Sequence, residues 1–175
     1  MRKVIFILSL MLLSVTSFSA ETRSSKNNEE CRFIASQIGG ICENGWAYAI
    51  KKDELRGDQD YRALLLNEKS SRLNRNDIAV LMVYSKDNKK MGGASLDLNK
   101  DTFVCEAKKV CNGLIRINDG EIFVFYYFTL SDNDHVAYFK SGLFENAHKI
   151  VIEIPIKENK KRQFVFYAGD IKWSN

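Results

Sequence analysis

The chain has 175 residues, of which 26 are Lys or Arg and 22 are Asp or Glu, so its formal net charge is +4. Such a small surplus of basic residues does not indicate a nucleic-acid partner, and we expect none. Apolar side chains make up 45% of the sequence, and this length and composition predict one globular domain.

The first twenty residues have the order of regions that is typical of a secretory signal peptide. Arg2 and Lys3 precede an apolar run at 4–15, and mostly small or polar residues follow up to Ala20. The run is shorter than the roughly 20 residues that span a bilayer, so we expect cleavage near Ala20 and no integral membrane span afterwards. Arg2 and Lys3 are the only charges removed, which leaves 24 basic and 22 acidic side chains in a periplasmic protein of about 155 residues.

All four cysteines lie in the exported part, where an even number predicts two disulfides in one of three connectivities. Our first choice joins Cys105 to Cys111, because a hairpin between the flanking strand-like runs would bring their Cα atoms to about 5.5 Å. Joining Cys31 to Cys42 requires the chain to turn back at Gly39-Gly40, since a continuous helix would hold the pair about 16 Å apart. The cysteine spacings do not fit the usual zinc knuckles, so we predict no metal site.

Residues 21–28 are polar and without apolar periodicity, which predicts a flexible N-terminus. A short helix then begins at Asn28, which can cap it, and the helical spacing places Cys31, Ile34, Ile38 and Ile41 on one face. The pairing of Cys31 with Cys42 would staple this helix to the rest of a single domain at 29–175.

From Trp46 onward the sequence predicts strands, because short apolar or alternating runs recur between turn signals such as Asn118-Asp119-Gly120. About ten short strands with little helix predict an antiparallel β-sandwich or flattened barrel. The runs lie at 46–50, 61–66, 78–84, 94–98, 102–105, 114–117, 122–128, 136–139, 149–154 and 163–167.

Three local features carry further expectations. Residues 141–148 predict a second short helix, because Leu143, Phe144 and Ala147 recur at helical spacing. Pro155 indicates an edge strand, since proline cannot donate to a sheet ladder. The aromatic residues of 122–128 could stack on bases or sugars, but such residues in a strand usually form core and cross-strand contacts, which we predict here.

The sequence contains no recognisable catalytic constellation. Its two histidines, His135 and His148, are not accompanied by any nucleophile signature. Asp132 and Asp134 could offer oxygens to calcium, but they lack the spacing of a calcium loop. Phosphate loops and dinucleotide fingerprints are absent from the sequence, so we predict no cofactor and favour a protein that is not an enzyme.

Loops on a rigid β scaffold are the usual place for recognition. Two polar loops stand out as candidate partner-binding sites, and the alternative is that both are only solvated turns. The first is 53–61, with Arg56 and Asp58, and the second is 131–135, with Asp132, Asp134 and His135.

The order of these features resembles a group of exported bacterial proteins that includes type VI secretion accessory proteins of the VasI or TagO kind. The resemblance implies an envelope accessory factor that binds another envelope or periplasmic protein, in a secretion or conjugation system. It rests on Cys31 and Cys42 around a short helix, Trp46 followed by Asp53-Glu54-Leu55, Phe103-x-Cys105, Cys111 before 114–117, and the closing Phe164-x-Phe166-x-x-Gly169-Asp170-Ile171-x-Trp173.

Two other function classes remain open at this point. The first is a periplasmic inhibitor or immunity protein that inserts a charged loop into an enzyme. The second is an undetected hydrolase in which His135 or His148, with a nearby carboxylate, would serve as general acid and base.

Overall fold

The computed structural model describes residues 28–52, 54–67, 78–87, 90–130, 133–140, 142, 144, 146–157 and 160–173. The predicted signal peptide at 1–20, most of the predicted flexible N-terminus and Asp132 lie outside these residues. The described chain forms one helix, α1 (28–38), and ten strands: β1 (Ile41–Glu43), β2 (Trp46–Lys52), β3 (Gln59–Leu66), β4 (Ala79–Ser85), β5 (Gly93–Leu98), β6 (Cys111–Ile117), β7 (Ile122–Leu130), β8 (Asn133–Phe139), β9 (Lys149–Ile156) and β10 (Lys160–Tyr167).

All ten strands belong to one antiparallel sheet with the order β1-β2-β3-β4-β5-β8-β7-β6-β9-β10. The sheet curves so that β10 also contacts β3, and both halves contribute to a common core. This confirms the predicted mainly β, sandwich-like fold with its stapled helix, and it shows that the sheet is not closed into a barrel. Most strands bury alternate side chains, as a sheet with one face on a core requires.

Both predicted disulfides are present, with Cα–Cα distances of 5.6 Å for Cys31–Cys42 and 5.9 Å for Cys105–Cys111. The turn back after α1 depends on two glycines. Gly39 has a φ of 65°, and the Gly40 amide donates to the Ala35 carbonyl at 2.8 Å, which are the features of a Schellman helix end. A side chain at Gly40 would collide with the Tyr48 carbonyl, so only glycine lets the chain enter β1 here. The expectation that Ile41 shares the helix face is therefore wrong, because the helix ends before the glycines and Ile41 is the first residue of β1.

The helix α1 covers the outer face of β2 and β3. Cys31 and Ala35 are buried against Ala47 of β2, and Leu64 of β3 packs at the edge of this small cluster. The C-terminal residues after β10 cover the other side of the same region. The Trp46 indole donates to the Gly169 carbonyl at 2.9 Å, which ties this segment to the first residue of β2.

The predicted helix at 141–148 is wrong, because the described residues of this stretch form turns and irregular backbone. Phe144 and Ala147 are both buried, and Phe144 packs edge-on against Phe139 with ring centroids 6.1 Å apart. A single helical turn has little stability of its own, so the apolar spacing is satisfied by a turn that fills one end of the core.

Pro155 lies on β9, which is an inner strand between β6 and β10, so the predicted edge position is wrong. The ladder between β6 and β9 ends at the pair Leu114 and Glu153, two residues before the proline. Main-chain N–H and C=O groups of one strand residue point to the same side, and the Pro155 carbonyl accepts from Val104 beyond the end of β6. The missing N–H therefore interrupts no ladder bond to β10.

Candidate functional site

The loop between β2 and β3 carries the first pair of predicted partner contacts. Arg56 and Asp58 are both exposed, and Gly57 between them has a φ of 74°, which favours glycine at this turn. The loop is therefore a polar turn that is accessible to a partner. Partner binding by Arg56 and Asp58 remains a prediction.

The start of β8 carries the described part of the second predicted site. Asp134 accepts a hydrogen bond from Lys157 at 2.6 Å, and this contact holds the pKa of the Asp134 carboxyl below its ordinary value. His135 lies 3.8 Å from the same carboxylate and uses Nδ1 to contact the Asp101 carbonyl oxygen at 2.8 Å. These side chains are held in a local network at the surface.

The two predicted loops do not form one surface. The register places the β2–β3 turn beside Ser85, Gly93 and Phe139, which lie at one end of β4, β5 and β8. The β7–β8 turn precedes Asn133, at the opposite end of β8. A compact partner would therefore contact one loop or the other.

Neither histidine sits in a catalytic arrangement among the described residues. His148 is exposed, with Nδ1 4.0 Å from Asp170, and neither His148 nor His135 lines the two larger grooves of the described chain, of 570 and 800 Å³. Burial raises the pKa of Asp97, and the nearby His135 opposes that shift. The described residues include no group of three or more His, Cys, Asp or Glu that could hold a metal.

A groove of 570 Å³ between β9, β10 and the residues after β5 is lined by several basic side chains. Their charges are largely compensated, because Arg162 pairs with Asp101, Lys157 with Asp134, and Lys161 with Glu153 at 3.8 Å. Paired cations at a surface attract a polyanion weakly, so the groove does not point to a nucleic-acid site.

The main exposed apolar surface of the described chain lies along β7. From Phe125 onward the odd-numbered residues Phe125, Tyr127 and Thr129 are buried, whereas the even-numbered residues point outward and remain exposed. Phe123, nearer the start of the strand, is also exposed, at 49%. Tyr126 is 66% exposed, and Phe128 is 42% exposed although it stacks on Tyr138 of β8 with ring centroids 5.6 Å apart. We call the outward residues Ile122, Val124, Tyr126, Phe128 and Leu130 the β7 stripe.

Elsewhere on the outer face of the described sheet, large exposed apolar side chains give way to a covering helix, to polar residues and to half-buried pairs such as Val151 with Val165. The helix α1 covers it at β2 and β3, and β9 and β10 present Glu153, Lys161 and Gln163. The prediction that the aromatic residues of 122–128 form core and cross-strand contacts is confirmed for the buried Phe125 and Tyr127 and for Phe128, which stacks across the strands on Tyr138. Phe123 and Tyr126 are exposed. An apolar surface of this kind usually marks a contact site.

The β7 stripe borders a groove of 800 Å³ at the point where β8 ends. Lys140 is the single charged residue among the described residues that line it. The lining residues are Tyr84, Gly92, Gly93, Val110, Val124, Phe125, Tyr126, Tyr127, Phe128, Tyr138, Phe139, Lys140 and Gly142. Aromatic rings and an open, mainly apolar wall are typical of protein contacts.

Tyr127 forms part of the groove lining and carries a buried hydroxyl without a hydrogen-bond partner among the described residues. Burial also raises the pKa of Tyr127. We expect Tyr127→Phe to raise the free energy of unfolding by about 1 kcal/mol, because the unpaired hydroxyl is removed. Urea denaturation is the measurement, and Tyr48→Phe is the control, since the Tyr48 hydroxyl accepts from Lys172 at 3.0 Å and its loss should destabilise. A fall in stability for Tyr127→Phe would show that the hydroxyl is satisfied.

Comparisons of the chain with protein-family models, with curated proteins and with solved structures found no match. Within the described residues, no helix is both long enough and apolar enough to cross a bilayer.

Proposed function

We propose that this protein is a non-catalytic accessory factor of a bacterial envelope secretion or conjugation system, and that it acts in the periplasm by binding another protein. The signal-like N-terminus supports export, and the two disulfides suit an oxidising compartment. The resemblance to type VI secretion accessory proteins supports the envelope role.

The observation that carries the proposal is the exposed β7 stripe. Leaving Val124, Tyr126 and Phe128 in water is unfavourable, and binding energy at interfaces concentrates in buried aromatic side chains. A partner that covers the stripe would remove this apolar surface from water. The stripe therefore supports protein binding more strongly than either polar loop does.

The hydrolase alternative receives less support, because His135 is held by Asp101 and Asp134 at the surface and His148 is exposed. An inhibitor or immunity protein would use the same scaffold, with the loop at Arg56 and Asp58 inserted into an enzyme. Neighbouring genes discriminate between these classes: genes for a secretion apparatus support the accessory role, and an adjacent toxin gene supports the inhibitor.

Affinity capture from periplasmic extract tests the proposal with a variant that carries Tyr126→Ser and Phe128→Ser together. We expect the wild type to recover an envelope protein and the variant to bind that protein at least about 30-fold more weakly, because a central interface aromatic contributes about 2 kcal/mol or more. Ile50→Ser is the matched control, since Ile50 is 59% exposed on β2, away from the stripe.

Unchanged affinity of the Tyr126→Ser, Phe128→Ser variant for the same protein would exclude the stripe as the interface. A parallel variant with Arg56→Glu and Asp58→Lys tests the first loop, and one with Asp132→Lys and Asp134→Lys tests the second. Loss of binding in either loop variant alone would assign recognition to that loop.

A further inference from the structure

Strand β7 is longer than the strand beside it. On one side, β7 pairs with β6, where Ile122 lies opposite Arg116 and Tyr126 lies opposite Asn112. On the other side, the pairing with β8 begins only at Tyr127, which lies opposite Phe139. Among the described residues, the first part of β7 is therefore an open edge in the interior of the strand order.

Two hydrogen bonds show which main-chain groups face this open edge. The Thr129 carbonyl accepts from Lys108, which precedes β6, and the Ile117 carbonyl at the end of β6 accepts from Gly120 in the β6–β7 turn. Main-chain groups alternate sides along a strand, so the odd-numbered residues of β7 face β6. Ile122 and Val124 consequently direct their N–H and C=O groups toward the open edge.

No other part of the described chain satisfies these groups. The hydrogen bonds of the described residues include none between Ile122 or Val124 and the segment that follows β8. An unpaired strand edge with apolar side chains is a template for pairing with another chain, unless charge, proline or a covering segment blocks it. Residues 122–126 contain neither a charge nor a proline.

The open edge forms one wall of the 800 Å³ groove, and Gly92 and Gly93 line the opposite wall. Because β8 is the single strand between β7 and β5, the space beyond its end is one strand wide. Neighbouring strands lie about 4.8 Å apart, so one extended segment fits and a second strand beside it does not. The β7 edge of a second copy would bring its own β6 and is therefore too wide.

We infer that this groove binds a single extended segment of a partner protein, which adds to the sheet along Ile122–Tyr126 and continues the line of β8. This inference rests on the proposed function and names the mode of binding at the same surface. Main-chain bonds to Ile122 and Val124 would provide affinity, and alternate side chains would provide specificity. The segment carries apolar side chains toward Tyr126 and Tyr84, and an acidic side chain near Lys140.

Selection of linear peptides from a displayed random library on the exported, disulfide-bonded protein provides the probe. We expect the selected peptides to share apolar residues at alternating positions and one acidic residue. Lys140→Glu should weaken their binding, because the acidic residue then faces a like charge. Failure to select any peptide that competes for this groove would overturn the inference.

Val124→Pro separates the main-chain contact from the side-chain contact. Proline removes the N–H that faces the open edge and leaves the ladder to β6 intact, so we expect peptide binding to weaken by more than about tenfold. Val124→Thr keeps the N–H and the branched shape and should bind within a few-fold of the wild type. Gln163→Pro is the matched control, because it places a proline on the outermost strand β10.

Wild-type affinity of Val124→Pro for the selected peptides would contradict strand addition. If the Tyr126→Ser, Phe128→Ser variant nevertheless loses the captured partner, the stripe binds protein by side chains alone and the proposed function stands. Circular dichroism checks that Val124→Pro folds. If it does not fold, amide hydrogen exchange of Ile122 and Val124 in the wild type, with and without peptide, decides the question.

Discussion

Replacing Trp46 with alanine is expected to lower the free energy of unfolding by about 3–5 kcal/mol, which is a large part of the stability of a domain of this size. The Trp46 side chain is fully buried at the first residue of β2. Its indole also donates to Gly169, so the substitution leaves both a cavity and an unpaired carbonyl.

Trp46→Phe is the control that separates these two contributions. Phenylalanine fills most of the volume of the Trp46 side chain but cannot donate a hydrogen bond, so we expect the free energy of unfolding to fall by about 1–2 kcal/mol. Urea denaturation of the disulfide-bonded variants measures both effects. Equal stability of the alanine variant and the wild type would contradict the placement of Trp46 between the sheet and the C-terminal segment.

Removing the Cys31–Cys42 disulfide, with alanine at both positions, is expected to release α1 from the sheet. A loop of this length contributes about 3 kcal/mol by restricting the unfolded chain. The remaining contacts of α1 are few, since Ala35 and Ile34 meet only the small cluster around Ala47. The helix should therefore open locally while the sheet persists.

Amide hydrogen exchange measures this local opening directly. We expect residues of α1 to lose protection and the buried residues of β4 and β9 to keep theirs. The Cys105–Cys111 bridge serves as the comparison, because its removal should affect β6 and leave α1 protected. Retained protection of α1 without Cys31 and Cys42 would show that packing alone holds the helix.

Local patterns in the sequence predict much of the fold. Alternating apolar residues locate the strands, as at Ile150, Ile152 and Ile154, because the buried face of a strand repeats every second residue. The disulfide of Cys105 and Cys111 is predictable because its two residues are close along the chain. The glycine pair at 39–40 predicts the turn that brings Cys31 to Cys42.

The pairing of strands that are far apart in the sequence cannot be predicted from local patterns. The placement of β8 beside β5, and of β9 beside β6, is set by how the whole sheet packs, and no short pattern encodes it. The same limit explains the error at Pro155, because β9 becomes an inner strand only through its pairing with the distant β6. Within the part of the chain that the structure describes, Ile122 and Val124 lack a strand partner on this side because β8 ends at Phe139.

One signal for the candidate site is nevertheless present in the sequence. Residues 122–128 are apolar without a break, whereas a strand with one solvated face normally alternates with polar residues. Such a run predicts that both faces of the strand are covered. No described segment covers the outward residues of β7, and this is the surface at which we propose that a partner binds.

Amide hydrogen exchange of the wild type, followed by NMR with and without a selected peptide, tests the strand-addition account most directly. In the free protein, Ile122 and Val124 should exchange quickly, whereas Phe123 and Phe125, whose amides face β6, should exchange slowly. A saturating peptide should slow the amide exchange of Ile122 and Val124 by about tenfold or more. The exchange rates of Phe123 and Phe125 should stay unchanged. Exchange at Ile122 and Val124 that is unaffected by the bound peptide would contradict the account.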